Sequence, residues 1–157
     1  MIFVIFNMKH IWLILFIIPL FAQDINKRNV SAGFFDDKAG FSLLGYSYDF
    51  KQYEKFELFA GFGTVVSGTT LSIGIKNYYL KSRFSIYSTF STQFSFDMDL
   101  ADLKEIYIAP TVALGAELRT IKSVFLKAGL FSGIYLDDSD WGDGFPALPF
   151  IGLNIKF

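Results

Sequence analysis

The sequence predicts an all-β protein, an eight-stranded antiparallel up-and-down transmembrane β-barrel preceded by a cleavable signal peptide. Three observations predict it. Alternation of apolar and polar residues runs from about residue 29 to the C-terminus, glycine gathers on the polar face of that alternation, and charge is concentrated in the connections.

The strands follow from a period of two, which places alternate side chains on opposite faces. Two weaker strands open the barrel, at about Asn29–Phe35 and Phe41–Phe50. Next, Phe56, Leu58, Ala60, Phe62 and Thr64 oppose Glu57, Phe59, Gly61, Gly63 and Val65, and Leu71, Ile73 and Ile75 oppose Ser72, Gly74 and Lys76. The clearest window is Phe84–Phe96, in which Phe84, Ile86, Phe90, Phe94 and Phe96 oppose Ser85, Tyr87, Thr89, Ser91, Gln93 and Ser95. Ile106–Leu118, Val124–Leu136 and Phe150–Phe157 repeat the pattern. Short connections join all eight strands and favour a meander. Pro110 and Pro149 interrupt two strands and lack a ladder donor, so they are expected near the outer rim, at bulges or strand entries.

The faces are assigned by what each carries. Gly33, Gly45, Gly61, Gly63, Gly74, Gly115, Gly129, Gly133 and Gly152 fall on the polar face with Ser, Thr and Tyr. Glycine weakens an exposed strand, whereas in a narrow lumen it makes room for large side chains. A solvated outer face would also carry more Lys and Glu. The polar face is therefore inward and the apolar face outward. A soluble lipocalin-like binding barrel, with these faces exchanged, is the alternative.

The connections divide by charge. With the N-terminus in the periplasm, those expected outside hold Asp36, Asp37 and Lys38, then Asp97, Asp99, Asp102, Lys104 and Glu105, and finally Asp137, Asp138, Asp140 and Asp143, ten acidic against two basic residues. The opposite connections hold Lys51, Glu54, Lys55, Lys81, Arg83, Arg119 and Lys122, six basic against one acidic. Near that inner boundary Tyr46, Tyr48, Phe50, Phe56, Tyr79, Phe84 and Phe157 form the ring-bearing belt expected at a membrane interface.

Residues 1–22 read as the signal peptide, with Lys9 and His10 as its basic start, Ile11–Phe21 as its apolar stretch and cleavage after Ala22; Met8 is an alternative start. The barrel is then 23–157, which retains 13 basic and 15 acidic residues and no histidine.

Composition sets further limits. The chain of 157 residues is 52% hydrophobic, 19% aromatic and 18% charged, against about 25% charged in an average domain. A net charge of −1 offers no footprint for nucleic acid. With no cysteine there is no disulfide framework or zinc-thiolate site. His10 is the only histidine and leaves with the signal peptide, which removes Ser-His-Asp and Asp-His catalysis. A non-enzymatic protein without cofactor or metal is expected. The stretch from Asp137 to Gly144 is similar to a calcium loop but lacks the closing glutamate, so a solvated acidic loop is the reading.

The last six residues, Gly152-Leu153-Asn154-Ile155-Lys156-Phe157, alternate and end on phenylalanine. They resemble the terminal strand by which the outer-membrane assembly machinery recognises its clients, with Gly152, Leu153, Ile155 and Phe157 as the signal. Together with the leader and strand count, the chain resembles the small eight-stranded outer-membrane barrels, such as the OmpX type and the transmembrane domain of OmpA. That resemblance implies a multi-pass protein of the outer membrane of a Gram-negative-type bacterium with both termini periplasmic. Its partners would be outer-membrane lipid, lipopolysaccharide, the assembly machinery and a larger outer-membrane complex.

Two groups of residues are singled out. Asp49, Glu57, Lys76, Glu117 and Lys127 point into the periplasmic half of the lumen, with Lys156 at its mouth, as an ion-pair network. Buried charges are tolerated only when paired. The network either fills the lumen or gates a narrow ion path. Asp137, Asp138, Asp140, Trp141, Asp143 and Phe145 form the extracellular contact surface. The expected role is structural, surface-interacting or accessory to a complex, with a narrow ion-conducting pore as the alternative.

Overall fold

In a computed structural model, the described residues are 27–40, 42–65, 68–97, 106–136 and 144–157. Eight strands, β1 (Arg28–Phe34), β2 (Leu44–Gln52), β3 (Phe56–Val65), β4 (Gly68–Leu80), β5 (Phe84–Asp97), β6 (Ile106–Ile121), β7 (Val124–Ile134) and β8 (Gly144–Lys156), close into one antiparallel up-and-down barrel. β8 zips onto β1 from Asn29↔Lys156 to Phe34↔Ile151, leaving no free sheet edge. The segment expected to be the signal peptide lies outside the described residues.

Polarity is inverted relative to a water-soluble barrel. Ser31, Ser47, Thr70, Ser72, Ser91, Gln93 and Thr111 are buried, whereas Leu71, Ile73, Phe90, Val112, Leu114, Leu130 and Ile151 are exposed. A small apolar cluster does occupy part of the interior, where Tyr78, Tyr87, Ala113, Phe131 and Phe150 pack together. No side chain in that cluster comes from the outer wall, so the barrel is held by its ladders, this cluster and the polar interior.

The first connection departs from the expectation. Asp36, Asp37 and Lys38 do not project outward; they are buried inside the barrel. β1 ends at Phe34, earlier than the period suggests, and Phe35 takes a positive φ of 60°, a strained conformation for a bulky residue. Its ring lies 5.3 Å from that of Phe131, so packing holds the strained turn that sends the chain inward. Residues 36–40 then form a tight hairpin, with Asp36 and Gly40 exchanging backbone hydrogen bonds of 2.9 and 2.8 Å. The Asp36 carboxylate accepts from the amides of Lys38 and Ala39, at 2.9 and 2.8 Å. Gly40, at φ 75°, completes the return beside Gln93.

Two sets of lumen glycines accommodate different neighbours. A Cβ on Gly74, Gly115 or Gly129 would press on the rings of Phe59, Tyr87 or Phe150, which is the expected role. A Cβ on Gly61 or Gly63 would instead strike the Lys38 or Ala39 carbonyl, and one on Gly45 would meet the Ala39 methyl. Those three glycines on β2 and β3 make a smooth bed for the backbone of the inserted hairpin. The Ser72 hydroxyl, from β4, donates to the Lys38 carbonyl.

The prolines are also placed differently from the expectation. Neither Pro110 nor Pro149 sits at a register shift; the bulge on β8, between Phe145 and Leu148, contains Pro146. Pro110 pairs with Thr92 on one side, and on the other occupies the gap between Thr111↔Gly133 and the bridge Ile108↔Leu136. Pro149 lies just beyond the last β1–β8 pair. Each is tolerated because a neighbouring ladder is interrupted or has ended there.

Gly61→Val should lower stability by about 1–3 kcal/mol in equilibrium urea unfolding, as overpacking does. Gly144→Ala, whose Cβ would come no closer than 3.4 Å to another atom, should stay within about 0.5 kcal/mol of the parent.

Candidate functional site

The interior of the barrel is a bridged array of ions around the hairpin formed by residues 36–40. β2 supplies Asp49, β3 Glu57, β4 Lys76, β6 Glu117, β7 Lys127 and β8 Lys156, each projecting inward by strand alternation. The strands set these groups in opposed pairs, with Glu57 across from Lys76 and Glu117 across from Lys127. The direct contacts, however, mostly run through the hairpin.

On one side, Lys38 Nζ donates to Asp49 and, at 2.9 Å, to Glu57. Lys156 Nζ lies 2.9 Å from Glu57 and 3.5 Å from Asp49. Asp49 also accepts from the Asn29 amide at 3.0 Å, and Glu57 from the Tyr78 hydroxyl at 3.2 Å. On the other side, Lys127 Nζ bonds Asp36 at 2.6 Å and also reaches Asp37. Lys76 Nζ sits 3.3 Å from Asp37 and 2.8 Å from Glu117. Lys76 is further held 3.5 Å above the Tyr87 ring, a cation–π contact inside a desolvated site.

Three consecutive residues therefore stitch the two halves together, Asp36 and Asp37 toward the lysines of β4 and β7, Lys38 toward the acids of β2 and β3. The six sequence-selected lumen residues lie in this one array. Sequence reasoning missed Asp36, Asp37 and Lys38, which it placed outside. The available signal was the alignment of Gly45, Gly61 and Gly63 beside the first connection, since glycine that leaves a trough on adjacent strands needs something to fill it.

Rings and the inserted hairpin occupy the middle of the lumen, and the mouth between the short turns holds a recess of about 320 Å³ lined by Glu57 and Glu117. Around that mouth Lys51, Lys55, Lys81, Arg83, Arg119 and Lys122 are all exposed.

Of the residues expected to form the extracellular contact, Asp137, Asp138, Asp140, Trp141 and Asp143 lie outside the described residues. Phe145 is placed by its backbone, which pairs with Gly133. In the terminal strand, Leu153, Ile155 and Phe157 are exposed on the outer wall and Gly152 lines the β1 seam. Among the described residues no group of three carboxylate or imidazole side chains is disposed to hold a metal ion.

No family model, curated protein or solved structure matches this chain. The functional reading accordingly rests on the geometry.

Removing one member of a buried ion pair leaves the other uncompensated and typically costs about 3–5 kcal/mol. Lys127→Met, which takes the lysine partner from Asp36 and one of two from Asp37, should show a loss of that order in urea unfolding and expose Lys38 to trypsin, which should not cut there in the parent. Adding Asp36→Asn should recover part of the loss, read as a coupling energy in a double-mutant cycle.

Proposed function

We propose that this chain is a sealed, non-enzymatic integral barrel of the outer membrane, with a structural, surface-interaction or complex-accessory role. The observation that carries the reading is the outer wall. Large apolar side chains are exposed around it, among them Ile73 and Leu126 at 54% and 48%, Leu114 at 59% and Ile151 at 66%. Soluble monomers rarely expose contiguous apolar patches beyond a few hundred Å². Lipid is the medium that makes such a wall favourable, since the strand ladders satisfy the backbone internally and closure removes the edges.

The ends of the wall support the same placement. Tyr53, Phe50, Tyr79, Phe84 and Phe157 are exposed near the short-turn rim, and the Tyr53 ring stacks on Phe56 at 4.2 Å. Aromatic girdles mark the level of lipid headgroups. On this reading the basic short turns and both termini face the periplasm, the opposite end of the barrel faces outside, and β8 presents its apolar face to the assembly machinery. Outer-membrane lipid and lipopolysaccharide are then the immediate partners.

The interior argues against the two alternatives. A lipocalin-like carrier needs an apolar cavity, whereas this lumen is filled by ions, hydroxyls and rings. A conducting pore needs a continuous aqueous path, and the inserted hairpin with its ion pairs occupies the lumen where such a path would run. An eight-stranded barrel is narrow enough for side chains to fill.

The protein should require detergent for extraction, migrate differently on gels before and after heating, and give no conductance steps in planar bilayers. Recovery in the detergent-free soluble fraction would overturn the reading. Leu114→Arg, at mid-wall on β6, should cost about 2–4 kcal/mol of stability in lipid. A soluble barrel would accept the same exposed substitution within about 0.5 kcal/mol.

A further inference from the structure

The recess at the short-turn mouth has a charge distribution that the ion array does not require. The acids at its floor already have lysine partners. Glu117 is paired with Lys76 at 2.8 Å, and Glu57 with Lys38 and Lys156 at 2.9 Å each. Its walls are not balanced, because they add Lys81, Arg119 and Lys122. Lys81 comes no nearer to an acid than 4.0 Å, from Glu57. Among the described residues, Arg119 and Lys122 have no acidic partner. Three positive charges therefore converge on an opening that is only about 320 Å³ in volume.

Two of those cations are held in position. The Arg119 guanidinium lies 5.4 Å from the Phe125 ring centroid, also on the recess wall. Lys81 Nζ lies 4.8 Å from the Tyr78 ring and 3.4 Å from the Tyr53 carbonyl. Stacking orients a guanidinium while leaving its N–H donors free for oxyanions. A fixed fork beside two ammonium groups, with field lines focused by low-dielectric walls, concentrates anions.

We propose that this recess binds a small water-soluble polyanion carrying clustered phosphate or carboxylate groups, gripped by Lys81, Arg119 and Lys122. Its size favours a small molecule over a folded partner. The recess opens on the barrel axis, whereas lipid headgroups surround the outer wall, so a soluble ligand reaches it more directly than a lipid phosphate. The site does not depend on membrane insertion, which decides only that this mouth faces the periplasm.

The experiment is calorimetric titration of the full-length protein, in zwitterionic detergent, with tripolyphosphate and separately with citrate. Saturable one-to-one binding of at least one probe is expected, weakening as salt is raised. The order of the two affinities tells phosphate from carboxylate preference. Arg119→Gln with Lys122→Gln should weaken binding about tenfold or more, as loss of charge-assisted hydrogen bonds does. Both side chains are exposed, and an unchanged heat-dependent gel shift and circular dichroism spectrum would verify folding. Lys51→Gln with Lys55→Gln, at the same end but off the recess wall, should leave affinity unchanged. The proposal is overturned by no binding of either probe at millimolar concentration, or by equal weakening in both double variants, which would mean a diffuse basic rim. Displacement of the probe on transfer to phosphatidylglycerol nanodiscs, but not phosphatidylcholine nanodiscs, would overturn it in favour of a lipid headgroup.

Discussion

Neutralising ionic charge in a narrow interior is the constraint on which the rest of this structure depends. With its large aliphatic side chains turned outward, the barrel places carboxylates and ammonium groups in its lumen. Burying an unpaired ion costs several kcal/mol, and pairing offsets that cost only when geometry and hydrogen bonding are good. The hairpin at residues 36–40 meets this condition by carrying two acids and one base to the places where the wall presents the opposite sign. The strained turn at Phe35, the glycine bed on β2 and β3 and the Ser72 bond all serve to seat it.

This arrangement divides the molecule into surfaces with separate tasks. The lateral wall is apolar, the lumen holds the inserted hairpin and its ion pairs, and the short-turn mouth is basic. On the proposed reading, such a barrel acts through its wall and its two ends. At the basic end, aromatic rings fix cations around an open recess. That end stands out because the acids beneath it are already engaged by lysines.

Most of the architecture was legible because strand alternation is a local signal. Phe84–Phe96 shows its two faces without reference to any other segment, and the nine polar-face glycines showed which face turns inward. The inserted hairpin was not legible by the same means. Asp36-Asp37-Lys38 has the composition of a solvated turn, and its burial depends on partners 11 to 91 residues away in sequence. The wall ions appeared self-balanced, with three acids and three bases, so nothing demanded further counter-charges. The place of the prolines is not legible for a related reason: whether a missing donor matters depends on where neighbouring ladders stop, which strand periodicity does not report.

The first connection is held inside the lumen. A chain without cysteine allows that to be tested with single introduced thiols. Ala39, only 1% exposed, lies at the tip of the hairpin, and Leu43, 46% exposed, lies just after it. In the folded protein, Ala39→Cys should resist a charged, water-soluble maleimide until denaturant is added, while Leu43→Cys should react at once. Labelling of both at the same rate, with the barrel intact by circular dichroism, would contradict the account.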